Sequence, residues 1–150
     1  MILSDQYPGK IFLILSCIGL FVAGLSALEN RVKWIESLCA FFGEGCRRTA
    51  DFTLFGLPVS WWGIAYYATL ILLIYTTDKA IIFWAVMAGF GMELTFLWVL
   101  IRIRAFCIFC LLNAFVVIAL AAFAFDPAGI WQAAAVALLF FIFSNFFLSK

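Results

Sequence analysis

The sequence predicts an all-α membrane protein with five transmembrane helices, and three observations carry that prediction. Of 150 residues, 68% are hydrophobic and 11% charged, with a mean hydropathy of +1.20. A soluble domain of that composition would expose too much apolar surface. Five apolar runs are each long enough to cross roughly 30 Å of hydrocarbon: 11–28, 60–77, 80–101, 106–125 and 129–148. The connections are short except for 29–59, which holds eight of the chain's seventeen charged residues (nine basic plus eight acidic).

Residues 11–28 follow Lys10 and have the outline of a signal peptide, but the run is long for one, so it reads as an uncleaved first span. In the long connection Val32, Ile35, Cys39 and Phe42 recur at helical spacing, which predicts a short amphipathic helix on the membrane surface. Gly43-Glu44-Gly45 would end it, and residues 49–54 would form a second short turn. The connection is thus expected to be a lid. Trp61 and Trp62 open the second span and suit an interfacial belt; Tyr66 and Tyr67 within it, and Asn145 in the fifth span, read as packing or interface features. Asp78-Lys79 and Asp126-Pro127 mark tight turns between helices. The whole chain, 1–150, reads as one integral membrane domain without internal repeats.

Histidine is absent, which removes the commonest general base and metal ligand. A net charge of +1 argues against nucleic acid. Sulfur chemistry remains, carried by five cysteines. Cys107-Ile108-Phe109-Cys110 lies where the polar corner 102–104 gives way to the fourth span. Two cysteines three apart on a helix share a face, roughly 5–6 Å apart at Cβ, close enough to bridge after small adjustment. The helix N-terminus favours a thiolate at Cys107, while Cys110 lies one turn deeper, about 4.5 Å along the axis.

Cys39 and Cys46 flank the Gly43 and Gly45 hinge, so a bridge between them is sterically easy, exposed and exchangeable. Cys17, mid-span, reads as a small buried hydrophobe. With five spans the loop 29–59 and the corner before Cys107 fall on one membrane face. A redox relay between the two pairs is the favoured reading. Two structural disulfides and a four-thiolate zinc site are the alternatives, although the lip of a lipid-embedded helix is an odd zinc anchor.

In order and spacing, the pair Cys39…Cys46, the segment Phe55-Gly56-Leu57-Pro58-Val59-Ser60-Trp61-Trp62-Gly63 and Cys107-Ile108-Phe109-Cys110 across five spans resemble the vitamin K epoxide reductase family. The likeness is to its prokaryotic members, which couple disulfide formation to quinone reduction. The resemblance implies that spans one to four form a bundle around a quinone (ubiquinone or menaquinone), capped by the loop, with the fifth helix alongside. It also implies roles: Cys39 faces a thioredoxin-like partner, Cys46 attacks Cys107 and Cys110 reduces the quinone. Many prokaryotic relatives carry a fused thioredoxin-like domain, whereas this chain stops at Lys150, so a separate partner protein is expected.

The departures matter. Phe52 stands where the family often has a hydroxyl residue, and Ala114 where vertebrate members have a tyrosine, so epoxide reduction and anticoagulant binding are not carried over. Asn113 shares a helix face with Cys110 and could bond a quinone carbonyl or a neighbouring helix. Glu93, deep in the third span, would be protonated or paired and is a candidate proton donor. Ser60 completes the candidate quinone contacts. No metal is expected. DsbB-type oxidases of a different fold perform the same chemistry with the cysteine pairs in the opposite order, and a non-catalytic cysteine-rich scaffold is the rival from another class.

Orientation pulls two ways. Arg31, Lys33, Arg47, Arg48, Arg102, Arg104 and Lys150 lie on the cysteine face, against Lys10 and Lys79 opposite, which by the positive-inside rule puts the cysteines in the cytoplasm. Disulfides persist outside it. The expectation is a prokaryotic cytoplasmic membrane with the active site facing outward, an inverted arrangement being the alternative.

Overall fold

The computed structural model of the protein describes residues 7–28, 32–34, 37, 53–54, 56–104, 107–124 and 130–149. Five helices account for most of them: α1 Tyr7–Leu28, α2 Val59–Thr76, α3 Lys79–Ile103, α4 Ile108–Ala124 and α5 Ile130–Phe147. Three two-residue strands, β1 Thr53–Leu54, β2 Leu57–Pro58 and β3 Leu148–Ser149, complete the described structure. Helices dominate because an apolar chain in lipid must satisfy its backbone within each segment.

The helix ends have local causes. Pro58 precedes α2, where its missing N–H is not needed. At the other end the Thr76 and Thr77 hydroxyls donate to the Leu72 and Leu73 carbonyls, at 2.9 and 2.8 Å, and two residues later α3 begins. Arg104, with φ 51°, ends α3 in the left-handed conformation, its N–H reaching the Leu100 and Ile101 carbonyls. The chain therefore turns sharply before Cys107.

Among the described residues three helices are long and apolar enough to cross a membrane: Gly9–Leu28, Val59–Thr76 and Lys79–Arg102. The five expected helices are present, and these three meet that length and hydropathy among the described residues. The apolar part of α4, Ile108–Ala124, has 17 residues, and that of α5 among the described residues is Ala134–Ser144. Helix α4 starts after Cys107, two residues later than expected. Large side chains such as Phe21 (66% exposed), Phe115 (70%) and Trp131 (85%) point away from the protein interior, as on a lipid-facing surface.

Helix α1 packs against α2 and α4, α3 packs against α4 and α5, and α2 touches α3 more sparingly. The main core lies among α1, α2, α3 and α4, around Tyr67, Leu70, Val86, Val117 and Leu120. A second cluster, Val22, Leu100, Cys107 and Phe109, closes one end. Strand β1 sits between β2 and β3, antiparallel to both, so the end of α5 lies beside the connection from α1 to α2. The second turn expected over 49–54 is instead, at Thr53–Leu54, a strand, because those residues find backbone partners in Leu57–Pro58 and Leu148–Ser149. The amphipathic segment around Cys39, the 43–45 hinge and the Asp126-Pro127 turn lie outside the described residues.

Contact between α3 and α5 depends on small and hydroxyl residues. At Gly91 an added Cβ would overlap the backbone of Ala137. One turn on, the buried Thr95 and Ser144 hydroxyls are 2.6 Å apart, and Ser144 donates to the Phe140 carbonyl at 2.6 Å. A Gly91→Val protein should therefore lose α5 docking and about 1–3 kcal/mol of stability. Thermal unfolding in micelles measures the loss; an unchanged midpoint would show that α5 does not depend on this approach.

Candidate functional site

A cavity of about 560 Å³ opens inside the helices, its wall mostly apolar with a few polar side chains. That is the size and character of small-molecule sites. Every helix contributes: Val22 and Ala23 from α1, Ser60 and Tyr66 from α2, Glu93 and Phe96 from α3, Cys110 and Asn113 from α4, Phe140 and Phe143 from α5. Leu54 and Pro58 of the long connection also line it, and the Trp62 indole N–H holds the Leu54 carbonyl at 2.9 Å. Trp62 is thus a tether for the connection, while Trp61 remains exposed as an interfacial residue would be.

Cys107 stands immediately before α4 and is 1% exposed. Its sulfur accepts the Cys110 N–H at 3.4 Å, occupying the place an N-cap oxygen takes at other helix starts. A negative sulfur accepts such a bond better than a neutral one, and the helix dipole acts in the same sense. Cys110, one turn into α4, is half-buried and lies on the cavity wall. Cys107 is not among the residues lining that wall; it packs with Val22, Leu100 and Phe109 at the end of the bundle.

The cavity's polar side is a chain of hydrogen bonds across three helices. The Tyr67 hydroxyl donates to Asn113 Oδ1 at 2.8 Å, and Asn113 Nδ2 donates to Glu93 Oε2 at 2.7 Å. Glu93 is 5% exposed, so this bond holds a carboxyl group that would otherwise face hydrocarbon. Asn113 is committed to neighbouring helices at its oxygen and through one amide hydrogen.

Of the residues singled out from sequence, Ser60, Glu93, Cys110 and Asn113 meet at this cavity, with Cys107 one turn behind. Cys39 and Cys46 lie outside the described residues, as does the Asn145 side chain. Cys17 is exposed on α1 rather than buried. Tyr67 was expected only to pack, yet it bonds Asn113. Its signal was present: Ser60, Gly63 and Tyr67 fall at i, i+3 and i+7, one stripe of α2. The part played by Phe140 and Phe143 had no such signal.

No family model, curated protein or solved structure matches the chain.

Replacing Asn113 with Leu would leave both Tyr67 and Glu93 without their partner and should cost about 1–3 kcal/mol for each group stranded. Glu93→Gln keeps an oxygen to accept from Asn113 and should cost less than about 1 kcal/mol. Denaturant unfolding in mixed micelles ranks the two; equal losses would contradict the bonding described.

Proposed function

We propose that the chain is a membrane thiol oxidoreductase of the vitamin K epoxide reductase type, making disulfides in a separate thioredoxin-like protein and passing the electrons to a membrane quinone. The placing of the CxxC carries the reading: Cys110 lines the apolar cavity, and Cys107 caps α4 at the end where the connection from α1 to α2 returns. In this reading spans one to four are the bundle that holds the quinone, in a prokaryotic cytoplasmic membrane with the cysteines outward.

The cavity suits such a ligand, offering apolar walls for a ring and tail and a few polar groups for its oxygens. Ser60, Glu93 and Asn113 would hold it. A bound quinone supplies an acceptor for two electrons and two protons. The chain's own part is exchange of disulfides. Two partner thiols become a disulfide as the Cys39–Cys46 bridge is reduced to two thiols. Cys46 then attacks the Cys107 sulfur of a Cys107–Cys110 bridge, forming Cys46–Cys107 and releasing Cys110 as a thiolate at the cavity wall. Cys39 next attacks Cys46, restoring the loop bridge and releasing Cys107. Each step breaks one S–S bond and makes one, so electrons balance. The Cys110 N–H on Cys107 assists that last departure by stabilising charge on the leaving sulfur. Within the cavity, Glu93 is the carboxyl group in reach of a proton-bonding chain, through Asn113 to Tyr67.

In a Cys39→Ser, Cys110→Ser protein a Cys46–Cys107 bridge lacks both thiols that could resolve it, so it should accumulate under mild oxidation. Mass spectrometry reads it directly, and finding no such bridge would refute the relay order. For the whole reading, purified protein should oxidise a dithiol only when quinone is added. Protein that fails to do so and holds stoichiometric zinc is a metal-binding scaffold instead.

A further inference from the structure

The Tyr66 hydroxyl is buried and has no hydrogen-bond partner among the described residues. A phenylalanine would fill the same space without the penalty of an unsatisfied buried donor. The neighbouring polar groups do not absorb it: Tyr67 is committed to Asn113, and Asn113 to Glu93. The position is nonetheless built. Tyr66 lines the cavity, and its ring and hydroxyl lie over Gly89 of α3, where any Cβ would overlap them. Gly89 and Glu93, four residues apart, share a face of α3 and both line the cavity. The Tyr66 hydroxyl therefore sits about one helical turn along α3, roughly 6 Å, from the level of the carboxyl that anchors the other polar chain.

We infer that Tyr66 is a ligand-binding residue whose hydroxyl donates a hydrogen bond to a carbonyl oxygen of the molecule in the cavity. This deepens the quinone reading and rests on it: the donor distinguishes a ring carrying carbonyl oxygens from a lipid acyl chain, which fills apolar space but accepts nothing. Gly89 is the notch that lets the tyrosine reach that place.

Purified wild-type and Tyr66→Phe proteins, titrated with the tail-less 1,4-naphthoquinone menadione, test it by tryptophan fluorescence, thermal unfolding and the infrared carbonyl band of the bound quinone. Without ligand, Tyr66→Phe should melt at or above the wild-type temperature, since it loses only an unpaired hydroxyl. Menadione should bind it roughly five- to tenfold more weakly, the worth of one hydrogen bond. Its carbonyl band should move to higher frequency than in the wild type. Equal affinity with an unmoved band overturns the role of Tyr66 and leaves the quinone reading standing. Wild-type protein that binds no menadione overturns both. A Tyr66→Phe protein that melts lower or does not fold also overturns the inference, because the hydroxyl would then serve the fold.

Discussion

A carboxyl group in the middle of an apolar helix must be given a hydrogen-bond partner, and the way Glu93 gets one organises the rest of the protein. Asn113 of α4 reaches across to it, and Tyr67 of α2 completes the chain from the other side. These bonds fix the register of three helices that otherwise meet through interchangeable apolar surfaces. Packing of Leu, Val and Phe can slide by a turn with little loss; a carboxyl that has lost its amide cannot. Once Asn113 is held opposite Glu93, Cys110 follows one turn earlier on the same face, at the cavity wall.

The start of α4 then sorts the two sulfurs. A helix entering lipid has unpaired N–H groups at its first turn, and something must accept from them. Here Cys107 does so through its sulfur, and is buried in the end cluster as a result. One residue thus caps the helix and packs into the end cluster. The sharp end of α3 at Arg104 allows this, since it returns the chain within three residues to begin the next helix. Strand β1, paired with both β2 and the end of α5, keeps the long connection at that same end, with Leu54 against the cavity.

Much of this was legible in the sequence, for a simple reason. Hydropathy over a whole span is a large, additive signal, so predicted and observed helix bounds agree within two residues everywhere except the start of α1, which begins at Tyr7 rather than residue 11. There Pro8 and Gly9 obscured a helix that tolerates proline in its first turn. Polar residues inside apolar spans were equally conspicuous: Glu93 and Asn113 stood out, and they meet. Aromatic residues did not stand out. Nineteen phenylalanines give no hint that Phe140 and Phe143 reach the cavity while Phe115 faces outward. The reach of Phe140 and Phe143 comes from which helix α5 leans on, and it is set by Gly91, Thr95 and Ser144, whose smallness carries little weight in a hydropathy profile.

The adjacent tyrosines of α2 show how closely such a cavity is specified. Successive residues on a helix point about 100° apart, so Tyr66 and Tyr67 face different neighbours although their chemistry is identical. Tyr67 crosses Gly19 of α1 to reach Asn113, and its hydroxyl serves the protein. Tyr66 crosses Gly89 of α3, and its hydroxyl has no hydrogen-bond partner among the described residues. Both rings need a glycine to lie against, which is a large local accommodation for a residue that phenylalanine could replace in packing alone. For Tyr67 the hydrogen bond accounts for the accommodation. For Tyr66 the same accommodation ends at the wall of the cavity that Glu93 and Cys110 also line. Under the proposed quinone reading, a donor kept there is half of a contact whose other half arrives with the quinone.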